Sequence, residues 1–156
     1  MSFQPGDPVP DFTAQATSEE EVTLSQLRGK KVVIYFYPKD STPGCTNEGK
    51  DFRDLYPQFQ AANTVIYGVS RDGLRSHENF RAKQDFPFQL ISDKEEELCR
   101  LFDVIKLKKL YGKEHYGIER STFLIDEEGK LAKEWRKVKV PGHVQEVLEA
   151  VEELDH

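Results

Sequence analysis

The sequence predicts an α/β fold in which a central mixed sheet is flanked by helices. Strand-length apolar runs alternate with segments of helical spacing, which implies parallel strands joined by crossover helices. The run Val32-Val33-Ile34-Tyr35-Phe36-Tyr37 is apolar at every position, as a strand covered on both faces must be. Near the end, Glu127-Glu128-Gly129-Lys130 reads as a turn between two further strands, and the hairpin it forms makes the sheet mixed.

In chain order the predicted strands are Val32 to Tyr37, Thr64 to Ser70, Phe88 to Leu90, Ser121 to Ile125 and Leu131 to Val138. β-Branched and aromatic residues dominate the first, second and fourth. Helices are predicted to start at Cys45, near Arg75, near Lys94 and at Gly142. Phe52, Leu55 and Tyr56 supply the helical spacing after Cys45; Val144, Val147, Leu148 and Val151 form one stripe on the last helix. Leu98, Leu101, Phe102 and Ile105 predict an apolar helix face beside which Cys99 is buried as a small hydrophobe. Trp135, on the last strand, is expected to pack. No repeat or linker interrupts the 156 residues, so one domain over 1–156 is expected.

Composition narrows the function classes. Charged residues make up 32% and the net charge is −6, which argues against a nucleic-acid or anionic-membrane binder. The basic stretch Lys106-Leu107-Lys108-Lys109 reads as a solvated loop or rim with no assigned ligand. The segment Met1 to Asp7 lacks the charged and apolar regions of an export signal, and no apolar run is long enough for a bilayer span. A cytoplasmic location is expected. The two cysteines, Cys45 and Cys99, make neither a disulfide framework nor a C-x-x-C pair nor a structural zinc site.

Chemistry concentrates at Thr42-Pro43-Gly44-Cys45-Thr46. Pro38 and Gly44 punctuate the turn between strand and helix, placing Cys45 in the first helical turn, where free N–H groups and the helix dipole favour an anion. A thiol with a pKa of about 8.5 is only ~3% thiolate at neutral pH, whereas one at about 6 is ~90%. That change corresponds to about 3.4 kcal/mol, more than the roughly 0.3–2 kcal/mol a helix terminus supplies. A cation is therefore needed. Asp40, Glu48, Asp51 and Asp54 carry the wrong sign, leaving Lys39, Lys50, Arg53 or a distant arginine, of which Arg120 is the candidate.

Pro38-Lys39-Asp40-Ser41-Thr42-Pro43-Gly44-Cys45 resembles the Pro-x-x-x-Thr-x-x-Cys signature of peroxiredoxins. Thr46-x-Glu48 and Phe52-Arg53-Asp54 extend the likeness to the bacterioferritin-comigratory, or Q-type, subfamily. It continues through Tyr67-Gly68-Val69-Ser70, Phe88 to Asp93 and Arg120 to Asp126, nearly the whole chain. The resemblance implies a thioredoxin-like fold and a thiol peroxidase acting on hydrogen peroxide and organic hydroperoxides. It implies no cofactor and no metal. Cys45 would be the peroxidatic nucleophile, with Pro38, Thr42 and Arg120 at the other active-site positions. An external thiol such as thioredoxin or glutaredoxin with glutathione would be the partner, and the expected assembly is a monomer or weak dimer.

The chemistry suits these residue types. A thiolate attacking a peroxide displaces an alkoxide or hydroxide, so the developing charge needs fixed donors, which the Thr42 hydroxyl and Arg120 guanidinium can offer. Pro38 shields the thiolate without adding a donor. Glu48 is expected to orient an arginine, whose planar fork can grip a carboxylate while still pointing at sulfur.

The chain departs from many relatives in the resolving cysteine. Five residues after Cys45 stands Lys50, and Glu78 to Gln84 contains no cysteine. A one-cysteine mechanism is the expectation, with Cys99 the remaining candidate resolver. Competing functions are a redox sensor or holdase switched by oxidation of Cys45, or a cysteine–histidine hydrolase using His77, His115, His143 or His156. A phosphatase fits poorly, because seven residues separate Cys45 from Arg53. A disulfide reductase would need a second nearby cysteine.

Overall fold

A computed structural model describes residues 1–155; of the four histidines, His156 lies outside the described residues. Strand β3 (Lys31–Phe36) is the axis of the molecule. After the short strands β1 (Thr13–Gln15) and β2 (Glu21–Thr23) come β3, helix α1 (Pro43–Ala61), β4 (Thr64–Ser70), α2 (Leu74–Gln84) and β5 (Gln89–Ser92). The chain continues through α3 (Glu97–Leu101), β6 (Ile105–Leu110), β7 (Lys113–Ile118), β8 (Ser121–Ile125), β9 (Leu131–Trp135) and α4 (His143–Glu153). The central sheet has the order β5-β4-β3-β8-β9. Its β3–β4 and β4–β5 pairs are parallel, and its β3–β8 and β8–β9 pairs antiparallel.

Alternation along β3 divides the core in two. Val33 and Tyr35 join Phe52, Phe59, Phe80, Val147 and Leu148 beneath α1, α2 and α4. Val32, Ile34 and Phe36 point the other way, to Leu98, Cys99, Phe102 and Phe123 under α3 and the N-terminal segment. Every residue of β3 is buried, which is why its sequence is continuously apolar after Lys31. The predicted turn forms: Asp126 Oδ1 accepts the Glu128 and Lys130 amides, both at 2.9 Å, and Gly129 takes a φ of 85°.

Several boundaries differ from expectation. Helix α1 begins at Pro43, because proline at the first helical position has a preset φ and no amide to satisfy. The third sheet strand shifts to Gln89–Ser92, and the last ends at Trp135 instead of Val138. Helix α3 is one turn only. Asp93 accepts the Leu98 and Cys99 amides at 3.1 and 2.8 Å, and Asp103 then turns the chain at a φ of 54°. Ile105 consequently starts a strand and is not part of the helix face. Lys106-Leu107-Lys108-Lys109 is not a loop but most of β6, paired antiparallel with β7 in a separate hairpin. The β1–β2 hairpin had no counterpart among the predicted elements.

Candidate active site

The loop after β3 delivers Cys45 to the first turn of α1, with Thr42 as the residue capping its start. Antiparallel pairing of Phe36 with Ser121 brings the start of β8 beside that loop, so Arg120, one residue earlier, reaches the thiol. Its Nη2 donates to Cys45 Sγ at 3.4 Å and its Nη1 to Glu48 Oε1 at 2.5 Å. The Val138 amide, bonded to the Arg120 carbonyl at 3.0 Å, fixes the backbone there. Gly44 makes the approach possible: a Cβ at this position would stand 3.1 Å from Arg120 Nη2. The arginine that Glu48 was expected to orient is thus Arg120. Arg53 is turned away, to Asp54 and the Gln84 carbonyl.

Cys45 is 2% exposed and Glu48 fully buried, so the site has little water to screen its charges. Burial pushes the Glu48 carboxyl up to about 7, with the Arg120 guanidinium pulling the other way. Burial also works against the Arg120 cation, but the combined attraction of Glu48 and Cys45 exceeds it and keeps the guanidinium charged. Glu48 Oε2 and the Tyr35 hydroxyl are both buried without a protein partner. Tyr35 is held well above the usual phenol range, by burial first and then by Glu48 and Cys45.

Pro38 is half-buried on the same loop. Thr42 departs from the expected donor role, since its hydroxyl donates to the Lys39 carbonyl at 2.8 Å and leaves lone pairs free to accept. Asp40, expected to oppose a thiolate, is directed elsewhere. Its Oδ1 accepts the Tyr37 hydroxyl at 2.6 Å, while Oδ2 accepts Ser76 Oγ at 2.8 Å and faces His77 Nδ1 at 2.7 Å. This buried network ties the Cys45 loop to α2. Local sequence does not group Tyr37, Asp40, Ser76 and His77, because only the fold brings α2 to the loop. The ligand atoms of Asp40, Asp72 and His77 lie within 4.8 Å of one another, but hydrogen bonds already occupy them.

Among the described residues, no histidine supplies a base to the thiol. His77 spans Asp40 and the Ile91 carbonyl, and His143 pairs with Thr122 Oγ1 at 2.8 Å. Burial, with Arg120 adding to it, pushes His143 down to about 4. His115 is exposed on β7. Cys99 is fully buried as expected, and burial followed by the Asp93 carboxylate pushes its thiol far up. The two cysteines belong to opposite sides of the sheet, Cys45 with the α1–α4 cluster and Cys99 with the α3 cluster.

Comparison with known proteins places this geometry in context. Residues 5–134 match the AhpC/TSA family. The chain is 51% identical to peroxiredoxin Bcp of Bacillus subtilis, with 99% of this chain and 98% of the relative covered. It is 55% identical to peroxiredoxin Bcp of Xanthomonas campestris, over 90% of this chain and 88% of that one. A Xylella fastidiosa PrxQ cysteine-to-serine mutant superposes with a TM-score of 0.94 at 42% identity, covering 100% of this chain and 99% of the other. The mixed sheet flanked by helices is therefore the thioredoxin-like fold of these structures. A match over most of the length, at about half identity, leaves one assignment for a chain that sets Arg120 against Cys45: it belongs to the AhpC/TSA family, among the Bcp/PrxQ peroxiredoxins.

Proposed function

We propose that the protein reduces hydrogen peroxide and organic hydroperoxides with Cys45 as nucleophile. The observation that carries this reading is Arg120, whose two terminal nitrogens hold Glu48 and the Cys45 sulfur at once. The Cys45 thiolate attacks one peroxide oxygen, forming an S–O bond as the O–O bond breaks. The other oxygen leaves as alkoxide or hydroxide and takes a proton to become alcohol or water. Arg120 stabilises both the thiolate and the charge developing on the oxygens, a task for a donor that needs no reorganisation. Thr42 accepts the peroxide's O–H through the lone pairs its bond to Lys39 leaves free. Pro38 keeps water from the sulfur. A solved structure from Xanthomonas campestris concerns alkyl peroxide reduction by its bacterioferritin comigratory protein, and superposes on this chain with a TM-score of 0.92 at 50% identity.

The sulfenic acid on Cys45 is then reduced by an external thiol, in a one-cysteine cycle. The first thiolate displaces hydroxide, released as water, to give a mixed disulfide; a second thiol releases Cys45. Burial of Cys99 on the far side of the sheet supports this reading over an internal disulfide. The dependence on reduced thiols fits a cytoplasmic setting, and among the described residues no helix is long and apolar enough to cross a membrane.

The test is peroxide consumption driven by dithiothreitol. The wild-type protein is expected to turn over many equivalents and Cys45→Ser none, with an unchanged fold, since a serine hydroxyl is a poor nucleophile at neutral pH. One equivalent consumed, followed by persistent oxidation, would instead identify a redox sensor. Substantial turnover in Cys45→Ser would remove Cys45 from its role.

A further inference from the structure

The β6–β7 hairpin stands outside the central sheet and has two different faces. Cross-strand partners project to the same side, so Ile105 with Ile118, and Leu107 with Tyr116, share one face with the Lys109–Glu114 ion pair at 3.4 Å. Lys106 beside Gly117, Lys108 opposite His115 and Leu110 opposite Lys113 make the other face basic. The hairpin carries four lysines against one glutamate in a chain of net charge −6. It also holds four of the seven large hydrophobic residues that stand exposed among the described residues: Leu107, Leu110, Tyr111 and Tyr116. Tyr111, at the tip, is 96% exposed. Lys106 is paired with Asp103 at 3.2 Å and Lys109 with Glu114, and the exposed apolar residues gathered beside the remaining lysines mark an interaction surface.

Its position beside the thiol indicates what it binds. Strand β7 ends at Ile118, two residues before Arg120. Lys108 Nζ donates to the Ile118 carbonyl at 2.5 Å, and Arg71 bridges Glu96 to the Tyr116 carbonyl, so the hairpin base is tied to the body. Lys108 is held below the usual lysine range by burial and then by the Arg120 and Arg71 cations, which places the basic face in the field of the site.

We propose that this hairpin docks an acidic protein bearing a dithiol, which reduces the Cys45 sulfenic acid. The proposal rests on the peroxidase reading and names the partner it needs. Docking would bring one partner thiolate to Cys45, forming the mixed disulfide with loss of water; the partner's second thiol then attacks its own sulfur in that disulfide. Cys45 thiolate is released and the partner leaves oxidised. A small thiol needs no such surface. A second copy of this chain offers no dithiol, because its two cysteines lie in core clusters on opposite sides of the sheet.

The test uses thioredoxin, with its NADPH-dependent reductase, as the dithiol protein and dithiothreitol as the small thiol. The tip variant is L110S/Y111S/K113E, with Y111S alone as a milder change at a site where folding is little affected. Expected results are a rise of about ten-fold in KM for thioredoxin, a matching loss in direct titration, and a weaker salt dependence. Turnover with dithiothreitol should stay within about two-fold, as the exposed Leu110, Tyr111 and Lys113 take no part in the Cys45–Arg120–Glu48 contacts. Unchanged thioredoxin KM would overturn the proposal, as would equal losses with both reductants. So would a wild-type dimer that the tip variant dissolves, since a second copy would then occupy the hairpin. Absence of dithiothreitol turnover in the wild type would count against the peroxidase reading alone, the titration still deciding the docking surface.

Discussion

Glu48 and Arg120 form a buried pair in which only one carboxylate oxygen is used, Oε1 receiving Nη1 at 2.5 Å while Oε2 has no protein partner. The carboxylate thereby sets the plane of the guanidinium and leaves Nη2 aimed at the Cys45 sulfur. A flat, forked cation is needed for two such tasks, and an ammonium group offers no equivalent geometry.

Arg120→Lys should therefore be far worse than charge conservation suggests. Loss of one fixed donor to a developing oxyanion costs about 10²–10³-fold in rate, and this variant also frees Glu48 from its fork. Stopped-flow measurement of sulfenate formation checks this. Wild-type kinetics would remove Arg120 from the reaction.

Thr42→Val deletes the hydroxyl that joins the Lys39 carbonyl and keeps nearly the same shape. Sulfenate formation should slow by roughly ten-fold or more, while the lost hydrogen bond costs only about 1 kcal/mol of stability. Thr42→Ser should recover most of the rate. Equal rates in the valine variant and wild type would show that the hydroxyl does not touch the peroxide.

Glu48→Gln should change the pH dependence of stability. The folded carboxyl titrates at about 7, against an ordinary value of 4.5, so the folded chain holds an extra proton between the two. The stability this contributes is present in acid and lost as pH rises through about 7. Glutamine has no such loss. The melting temperature of the wild type should thus fall relative to the variant between about pH 4.5 and 7, by several degrees at about 2–4 °C per kcal/mol. Parallel curves would show that Glu48 titrates at its ordinary value.

Cys99→Ser should retain turnover with every reductant that serves the wild type. With the sheet between the two cysteines, a bond requiring Cα atoms within about 7 Å would demand that much of the fold come apart. Thiol trapping and mass spectrometry after one equivalent of peroxide should detect no Cys45–Cys99 disulfide. Rapid, near-stoichiometric formation of that disulfide, with turnover lost in the variant, would make Cys99 the resolving residue.

The parts of the fold readable from sequence are those governed by burial on both faces. Strands β4 and β8 appear at Thr64–Ser70 and Ser121–Ile125 as expected, because their apolar residues leave no helical alternative. The lysines of the β6–β7 hairpin suggest a solvated loop, whereas the alternation Ile105-Lys106-Leu107-Lys108 has the period of a strand. Helix α3 is shorter than predicted because Leu101, Phe102 and Ile105 keep a helical spacing that the turn at Asp103 interrupts. At the site, Cys45 and Thr42 could be found in one short motif. The pairing of Arg120 with Glu48 spans 72 residues, and the Asp40–His77 contact 37, distances over which local pattern carries no information.

That long span has a consequence for biogenesis. The β3–α1–β4 unit can assemble from nearby chain, yet Arg120 lies 75 residues beyond the cysteine it serves and arrives only when β8 inserts against β3. Contacts of such separation form late, after the costly closure of a long loop. A growing or partly folded chain would accordingly display its cysteine before its guanidinium is in place. The onset of fast peroxide reactivity during refolding should then coincide with the closing of the sheet, making the thiol an internal clock for the last step of folding.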